Sequence, residues 1–512
     1  MSLENSNSTT KNSFSSNFIK NIVFNISDIL CHIFNKSLDR GIFPEALKSA
    51  EVIPLFKKGD KNILNNYRPI SILPSFSKVF EKAVKTRMIN FLNKIHFFNN
   101  CQFGFRQRLS TEEALLKFCT NIYNSINKKK VSAALFVDIT KAFDTVDHDI
   151  LLRKLEKSGF RGNIYNGLTS YLSNRMQRVK VKNHFSRFIN INIGVPQGSV
   201  LGPILFLIYI NSLCSQNLSS NSVAFADDMA CTYSCDSLLS LTIAINNDLG
   251  VLRRWFITHK LVLSEKTKIM LYNIAGKDSN IENLNYHSAN CAKYLIGSDI
   301  CTSSNHYHSY VDSNSCSSDC LSISCVNSFK YLILLIDSNM SWIDHTTVLK
   351  KYLMVVIRQF YHLRQFCSLK LLTNIYFGLF HSKLEYCLAC WGGTHKNQIL
   401  PLLTAQKHAV RIIGNRSYTV SSLPLFRELK ILPLQHLYCF RALKMFFNRS
   451  EQPIDRTDLN YQLRSSNRNL SSSHHIACNT FCGSILRLPL DCLTIYLMIS
   501  GADALNLVSL QM

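Results

Sequence analysis

The chain has 512 residues, of which 46% are hydrophobic, and its 57 Lys and Arg outnumber its 33 Asp and Glu, giving a formal net charge of +24. This apolar content excludes a wholly disordered protein, and the length predicts about two to four subdomains instead of a single core. The excess of positive charge favours a polyanionic partner, nucleic acid first and an anionic membrane surface second.

The N-terminal residues 1–17 are rich in Ser and Asn. This composition predicts a disordered leader. The basic and apolar segments of a secretion signal are missing, so we expect that the chain is not secreted. The longest uncharged stretch, Gly194 to Ala226, is interrupted by polar residues. Its apolar part, Val200 to Leu213, is shorter than the roughly 20 residues that span a bilayer. We therefore expect a buried core helix, no membrane span, and an intracellular protein of the nucleus, the cytoplasm or both.

The order of elements follows from composition and periodicity. Residues 18–50 predict a helical extension, and residues 51–275 alternate short apolar strands, helical periods and Gly/Pro turns. Residues 276–328 are crowded with Ser, Asn, Cys and His, which predicts an insertion or loop. Residues 329–345 begin with a strand-like run, residues 346–447 have the apolar spacing of helices with scattered basic residues, and residues 448–512 form a polar, then weakly apolar tail.

Three aspartates carry the first chemical signal. Asp138 closes the apolar run Ala133 to Val137, and Asp227 and Asp228 follow a second apolar run. Carboxylates beside apolar strands are costly unless a cation offsets their charge, and Mg²⁺ prefers oxygen ligands. Because neighbours in a strand face opposite ways, we expect the pair at a hairpin turn, with Asp227 the closer ligand. Together the acids could hold two Mg²⁺ ions about 4 Å apart, an arrangement that drives nucleotidyl transfer.

Two further segments accompany these acids. Phe143 lies five residues after Asp138, where its ring could lie beneath an incoming sugar, and Asp147 is predicted to be the N-cap of the following helix. In the Gly/Pro segment from Gly194 to Pro203, Gln197 offers an amide to a base or sugar, and Gly198 allows close backbone approach. Without the acids nearby, that segment would be an ordinary turn.

Basic residues supply a third signal. Lys57, Lys58 and Arg68 could bind a triphosphate, with Arg68 making paired hydrogen bonds; the alternative is a solvated hairpin tip. Lys266, in a Ser-Glu-Lys-Thr sequence, could protonate a leaving pyrophosphate, although a lone lysine is more often a surface residue.

An ordered series of motifs makes the resemblance specific. The series consists of KKGD at 57–60, YRPISILP at 67–74, SKVFEK at 77–82, QFGFR at 102–106, FVDITKAFDTVDH at 136–148, GVPQGSVLGPILFLIYIN at 194–211, FADD at 225–228, KT at 266–267 and FKYL at 329–332. From about residue 40 to 345, the chain closely resembles the reverse transcriptases of non-LTR (LINE-type) retrotransposons, nearest to the jockey-like group. The resemblance implies an α+β, right-hand polymerase fold with fingers, a palm built on an antiparallel sheet, and a helical thumb.

The resemblance also implies roles for individual residues. Asp138, Asp227 and Asp228 match the acids that bind two Mg²⁺ ions, for which Mn²⁺ is a possible substitute. Phe143 matches a steric gate against ribonucleotides, and Arg68 matches a triphosphate contact. Gln197 and Gly198 match positions near the incoming nucleotide and the template. Lys266 matches the lysine that assists pyrophosphate departure. The remaining matches form the primer grip: Phe329, Lys330, Tyr331 and Leu332.

Three positions depart from the family pattern. Phe225 stands where many reverse transcriptases carry Tyr, and Asn211-Ser212 replaces the usual Asn-Asp after the buried helix. Ile333 replaces the Gly that normally follows the grip, and a β-branched residue there restricts the backbone and could displace the grip.

The expected activity is RNA-directed DNA synthesis, with an RNA template, a DNA primer or target, and dNTPs as partners. No acid and histidine set of an endonuclease is recognised, so target nicking would have to come from elsewhere. Two alternatives stay open. One is a retrotransposon remnant that binds nucleic acid without polymerising; the other is a telomerase-like or intron-maturase-like enzyme.

Overall fold

The computed structural model of the chain describes residues 14–272, 284–286 and 321–450. The helices up to residue 258 are α1 (Ser16–Arg40), α2 (Ser75–Lys94), α3 (Thr111–Asn127), α4 (His148–Lys157), α5 (Asn163–Leu172), α6 (Gly202–Ile210) and α7 (Leu238–Thr258). The later helices are α8 (Ile343–Leu363), α9 (Leu369–Ile375), α10 (Ser382–Glu385), α11 (Leu388–Trp391), α12 (Lys396–Ile413), α13 (Leu423–Glu428) and α14 (Leu434–Ser450).

The strands are mostly short. They are β1 (Ala50–Phe56), β2 (Tyr67–Ile72), β3 (Val131–Val137), β4 (Arg175–Val181), β5 (His184–Phe185), β6 (Ile189–Ile191), β7 (Asn221–Phe225), β8 (Asp228–Cys235), β9 (Lys268–Tyr272), β10 (Leu284–Tyr286), β11 (Leu321–Ile323), β12 (Ser328–Tyr331) and β13 (Leu334–Asp337).

A four-stranded antiparallel sheet of order β7-β8-β3-β9 forms the centre of the molecule. Along β3, the side chains of Leu135 and Val137 enter one apolar core, while Ala134 and Phe136 enter a second core on the opposite face. Both faces of the strand are therefore covered, which explains why its sequence is a continuous apolar run without polar alternation.

The first core lies between this sheet and helices α2, α4, α5, α6 and α7. Helix α6 is apolar on every side, and all of its residues except Pro203 are buried. A helix with no polar face has to be enclosed, so the expectation of a buried core helix is confirmed. None of the described helices is both long enough and apolar enough to cross a bilayer.

The second sheet is formed by β2-β1-β4-β5, with β6 also pairing to β4. Strands β1 and β2 form an antiparallel hairpin in which Leu55 faces Arg68, whereas β1 and β4 run parallel. On the other side of the central sheet, the second core joins α3 to the helices after residue 343. The mixed architecture, with an antiparallel central sheet and a helical C-terminal region, agrees with the predicted palm, fingers and thumb.

Several expected boundaries meet the edge of the described residues. Helix α1 begins at Ser16, inside the predicted leader, whose residues 1–13 lie outside the described part. Within 276–328, where we expect an insertion or loop, the described residues include β10 paired antiparallel with β11. The rest of that stretch before residue 321, and the tail after residue 450, lie outside the described residues.

Candidate active site

The register of the central sheet brings the three aspartates to one edge. Val137 at the end of β3 pairs with Met229 in β8, so the next residue, Asp138, lies level with Asp228. Strands β7 and β8 are joined by the two-residue turn Ala226–Asp227, because Phe225 already pairs with Asp228. The predicted hairpin turn is present, and it presents the acidic pair beside the end of β3.

The electrostatics of the acids show how closely they are grouped. Burial raises the pKa of Asp227, and the negative charge of Asp138 raises it further. The pKa of Asp228 is raised to about 6, first by desolvation and then by the charges of Asp227 and Asp138. Carboxylates that repel one another need a cation to remain ionised together. The all-oxygen chemistry of these side chains suits Mg²⁺ or Mn²⁺, and these three residues would hold the ions. As placed among the described residues, the three carboxylates share a sheet edge but do not form a closed set of metal ligands.

The position of Asp138 is fixed by the segment that precedes β9. The backbone amide of Asp138 donates to Thr267 Oγ1 at 3.2 Å, and its carbonyl accepts from Ser264 N at 2.8 Å. Thr267 is fully buried, while Lys266 beside it is exposed. The Ser-Glu-Lys-Thr sequence therefore has two parts: a threonine that holds the backbone of Asp138 and a lysine that faces solvent next to the acids.

The predicted basic residues reach the same place. The positive charges of Arg68 and Lys266 lower the pKa of Asp228, and Arg68 also lowers that of Asp227. The pKa of Lys57 is lowered by burial and by Arg68 and Lys266, while Asp138 and Asp144 raise it. The β1–β2 hairpin thus faces the acidic edge. The alternative of a solvated hairpin tip does not explain the charge interactions of Lys57 and Arg68 with the acids.

Phe143 and Gln197 both contact neighbouring side chains of the protein. The ring of Phe143 stacks on Phe206 of α6, with centroids 4.3 Å apart, so a buried helix supports it from below. Gln197 Nε2 donates to Asp144 Oδ1 at 2.9 Å. The amide we expected to face a base or sugar therefore has a partner within the protein. Burial raises the pKa of Asp144.

Gly198 has a structural reason for being glycine within the protein itself, besides the expected approach to a ligand. Its φ is +122°, and a Cβ there would come within 2.5 Å of the carbonyl oxygen of Ser71. The carbonyl of Gln197 accepts from Ser71 N at 2.7 Å. The close approach is thus between this turn and β2, and it locks the two predicted nucleotide-binding segments together.

The primer-grip residues form the β12–β13 hairpin. Phe329 stacks on Phe136 at 4.3 Å, and Tyr331 is buried, with its hydroxyl donating to the carbonyl of Val223 at 3.2 Å. These two side chains attach the hairpin to the palm. Lys330 and Ile333 are the exposed side chains of the segment 329–334.

We expected that Ile333 could displace the primer grip. The hairpin that carries Ile333 nevertheless keeps its register. Four residue pairs, from Ser328–Asp337 to Tyr331–Leu334, are in register. The turn closes with φ of +43° at Leu332 and +76° at Ile333, both in the left-handed region. Two-residue turns of this kind favour Asn-Gly, so the departure from glycine is expressed as strain in the turn.

Two residues that support the site were not predicted. Thr267 holds Asp138, and Glu81 of α2 contacts the turn that leads into α6. Glu81 is completely buried and lies in the stripe of buried residues that includes Ser77, Val84 and Met88. A charged residue in the apolar stripe of a helix was the available signal. Asp147 is the N-cap of α4, as predicted, and accepts from Ile150 N at 3.0 Å.

Comparison with known proteins agrees with this geometry. The reverse transcriptase (RNA-dependent DNA polymerase) family matches residues 56–332, more than half of the chain. The chain is 26% identical over 413 residues to the RNA-directed DNA polymerase from mobile element jockey of Drosophila melanogaster. This alignment covers 78% of this chain and 41% of that protein. It is 33% identical over 234 residues to the probable RNA-directed DNA polymerase from transposon BS of the same organism, covering 44% of this chain and 26% of that protein.

The chain therefore spans less than half the length of these curated relatives. It also aligns with the structure of telomerase from Candida albicans in complex with a fragment of telomeric RNA. That alignment covers 82% of this chain and 71% of the telomerase chain, with 9% identity and a TM-score of 0.41, and it adds nothing to the assignment. On the family match and the sequence relatives, the chain belongs to the reverse transcriptase family and is related to the enzymes of non-LTR retrotransposons such as jockey.

Proposed function

We propose that this chain is an RNA-directed DNA polymerase that extends a primer 3′-hydroxyl with dNTPs. The single observation that carries the proposal is the meeting of Asp138, Asp227 and Asp228 at one edge of the central sheet, where the charge of Asp138 raises the pKa of both Asp227 and Asp228. Reverse transcriptases generally use divalent metal ions, and two Mg²⁺ ions are the proposed pair, with Mn²⁺ as a substitute.

When bound, the ions would activate the primer hydroxyl and neutralise the developing charge on the pyrophosphate. The side chains of this chain do the rest. Arg68 and Lys57 bind the triphosphate from the β1–β2 hairpin, Arg68 through paired hydrogen bonds. Phe143, supported by Phe206, limits the space beneath the sugar. Lys266, held beside Asp138 through its neighbour Thr267, supplies a proton to the leaving pyrophosphate.

An RNA template, a DNA primer or target and dNTPs are the proposed partners. The net charge of +24 and the exposed lysines and arginines of α8 support binding through phosphates, so affinity should fall steeply with salt.

Primer extension on an RNA template with Mg²⁺ tests the function. We expect extension by the parent chain and none by Asp227→Asn, because Asn cannot supply the ligand charge. The matched control is Asp236→Asn. Asp236 is an exposed carboxylate at the other end of β8, 3.3 Å from Lys130, and its loss should leave extension unchanged.

The second candidate is a remnant that binds nucleic acid without copying it. The observation that favours it is Ile333 at a φ of +76°, where the family normally has glycine. Salt-sensitive binding of template and primer by the parent, with no extension in Mg²⁺ or Mn²⁺, would establish the remnant and reject the polymerase.

A further inference from the structure

The segment Cys101–Arg106 carries a sequence motif to which the proposed reaction gives no role. It runs along the outer edge of β7. The amide of Ala224 donates to the carbonyl of Cys101 at 2.8 Å, and the amide of Phe103 donates to the carbonyl of Ala224 at 2.7 Å. The segment therefore extends the central sheet by one short piece, on the strand that leads directly into the acidic turn.

Gln102 lies between these two backbone contacts, and its side chain reaches the turn. Gln102 Oε1 accepts from the amide of Ala226 at 2.9 Å and from the amide of Gly104 at 2.8 Å. Gln102 Nε2 donates to the carbonyl of Ala226 at 3.3 Å. The side chain is 2% exposed, so no water competes for these bonds. One amide group therefore satisfies both the N–H and the C=O of Ala226.

Ala226 needs such a restraint. Its φ is +57°, in the left-handed region, which is unfavourable for a residue with a Cβ. It is the first residue of the Ala226–Asp227 turn, where a turn of this length favours glycine. Gly104 lies against the same residue, because a Cβ on Gly104 would clash with the backbone nitrogen of Ala226. Strain at a functional turn persists only when its surroundings fix it.

We propose that Gln102 is a positioning residue for the acidic pair: its amide holds Ala226 in the left-handed conformation that presents Asp227 and Asp228 beside Asp138. The inference rests on the proposed function in one respect, namely that these acids bind a divalent ion. Gln102 does not touch the ion; it acts through the backbone of the residue before Asp227. Only a side chain with both a donor and an acceptor at this length can make the three bonds.

The test variant is Gln102→Met, which keeps the length and volume of the side chain and removes its hydrogen bonds. The chain offers a matched control. Gln406 is also fully buried, accepts from the amide of Leu434 at 2.8 Å, and donates to the carbonyl of Leu432 at 2.9 Å, within the helical C-terminal region. Gln406→Met therefore removes equivalent bonds away from the acids.

The first measurement is Mn²⁺ binding by electron paramagnetic resonance, with Asp227→Asn defining the signal from the acids. Mutation of groups that orient metal ligands costs about 10- to 100-fold in affinity. We expect that loss for Gln102→Met and the parent affinity for Gln406→Met, although both variants unfold at lower denaturant concentration. Parent affinity in Gln102→Met, or equal losses in the two variants, would overturn the proposal.

The second measurement is amide hydrogen exchange, which requires neither metal nor polymerase activity. In the parent, the amide of Ala226 should exchange slowly, and in Gln102→Met the segment 222–231 should exchange faster than in Gln406→Met. Fast exchange of the Ala226 amide in the parent would show that Gln102 does not hold Ala226 through hydrogen bonds. A parent that binds no Mn²⁺ but shows the protected turn would count against the proposed function and leave the role of Gln102 standing.

Discussion

The buried carboxylate of Glu81 accepts a hydrogen bond from the backbone amide of Val200 at 2.7 Å. The same oxygen accepts from the amide of Leu201 at 3.0 Å, and the other oxygen accepts from the hydroxyl of Ser77 at 2.8 Å. These amides precede α6 and lie two and three residues after Gly198. A residue of α2 therefore satisfies the unpaired donors at the start of a buried helix and fixes the turn beside the acids.

Glu81→Met should destabilise the protein and impair nucleotide binding. The variant leaves buried amides without an acceptor, at a cost of about 3 kcal/mol in the free energy of unfolding. Because the turn is released, the KM for dNTP should rise more than the KM for template–primer. Denaturant unfolding and steady-state extension measure the two effects. Glu156→Met, at an exposed position of α4, is the control; equal stability of the two variants would contradict the assignment.

Lys154 gives the protein a specific pH dependence. Its ammonium group donates to Ser212 Oγ at 2.8 Å and to the carbonyl of Tyr209, and no described carboxylate forms an ion pair with it. Burial lowers the pKa of Lys154 to about 7. Between pH 7 and the unfolded pKa of about 10.4, the unfolded chain binds the extra proton, so stability rises with pH in this window. As pH falls from about 10.4 toward 7 this stability is lost, and below pH 7 the dependence levels off because the lysine is protonated in both states.

Lys154→Met should remove that dependence. The parent should gain up to about 1.4 kcal/mol per pH unit above pH 7 from this group, and the variant should gain none of it. Urea unfolding at several pH values measures the slope. Lys94→Met, which alters an exposed lysine of α2, should keep the parent slope; Lys157 is unsuitable as a control because its charge helps to lower the pKa of Lys154. An unchanged slope in Lys154→Met would show that the buried lysine is not responsible.

Ser212→Asp should have the opposite effect on the same lysine. It restores the residue that usually follows Asn in this motif and places a carboxylate within reach of the Lys154 ammonium group. An ionic partner raises the pKa of a lysine, so the stability slope between pH 7 and 10 should flatten. Titration of the Lys154 side chain by NMR measures the shift directly, and an unchanged pKa would refute the pairing.

Ile333→Gly should stabilise the grip hairpin. Ile333 is β-branched, 59% exposed and held at a φ of +76°, so its side chain gains little from packing and opposes the backbone conformation. Glycine removes about 1 kcal/mol of that strain. The control is Lys330→Gly in the adjoining strand, which should lose about 0.5 to 1 kcal/mol. Thermal unfolding distinguishes the two signs, and a destabilised Ile333→Gly would contradict the strained turn.

Asp228→Asn should raise the stability of the metal-free protein while removing its response to Mg²⁺. The pKa of Asp228, about 6, lies above its ordinary value, so in the metal-free protein its ionisation costs stability as pH rises from about 4 to about 6, and the full cost is present above pH 6. At pH 7.5, we expect a higher Tm for the variant without metal. Added Mg²⁺ should raise the Tm of the parent and of Asp236→Asn more than that of Asp228→Asn. Equal responses would argue against metal binding at this edge.

Phe143→Val should weaken the discrimination against ribonucleotides. A smaller side chain above Phe206 leaves room for a 2′-hydroxyl, and the ratio of kcat/KM for dNTP to that for rNTP should fall by about tenfold or more. Competing extension assays measure the ratio. Phe24→Val, which shortens a side chain 90% exposed on α1, should leave it unchanged. If Phe143→Val kept the dNTP-to-rNTP ratio of the parent, Phe143 would not be the steric gate.

Local patterns in the chain were sufficient to predict the acids, the hairpin turn at Asp227, the cap at Asp147 and the buried α6. Each depends on neighbours within a few residues, where periodicity and capping act. The roles of Gly198, Phe329 and Tyr331 were not predictable in this way. Gly198 faces Ser71, and Tyr331 donates a hydrogen bond to the carbonyl of Val223. The partner that explains each residue therefore lies more than a hundred positions away in the sequence.

By itself, the sequence determined the family, the palm-type arrangement and the identity of the three acids, because ordered motifs and strand patterns are local properties of the chain. Tertiary structure alone decided which side chains hold those acids in place: Thr267 for Asp138 and Gln102 for the turn before Asp227. Hydrogen bonds between buried groups depend on distance and direction in space. These residues lie 124 and 129 positions apart, and no local sequence pattern predicts contacts at such separations.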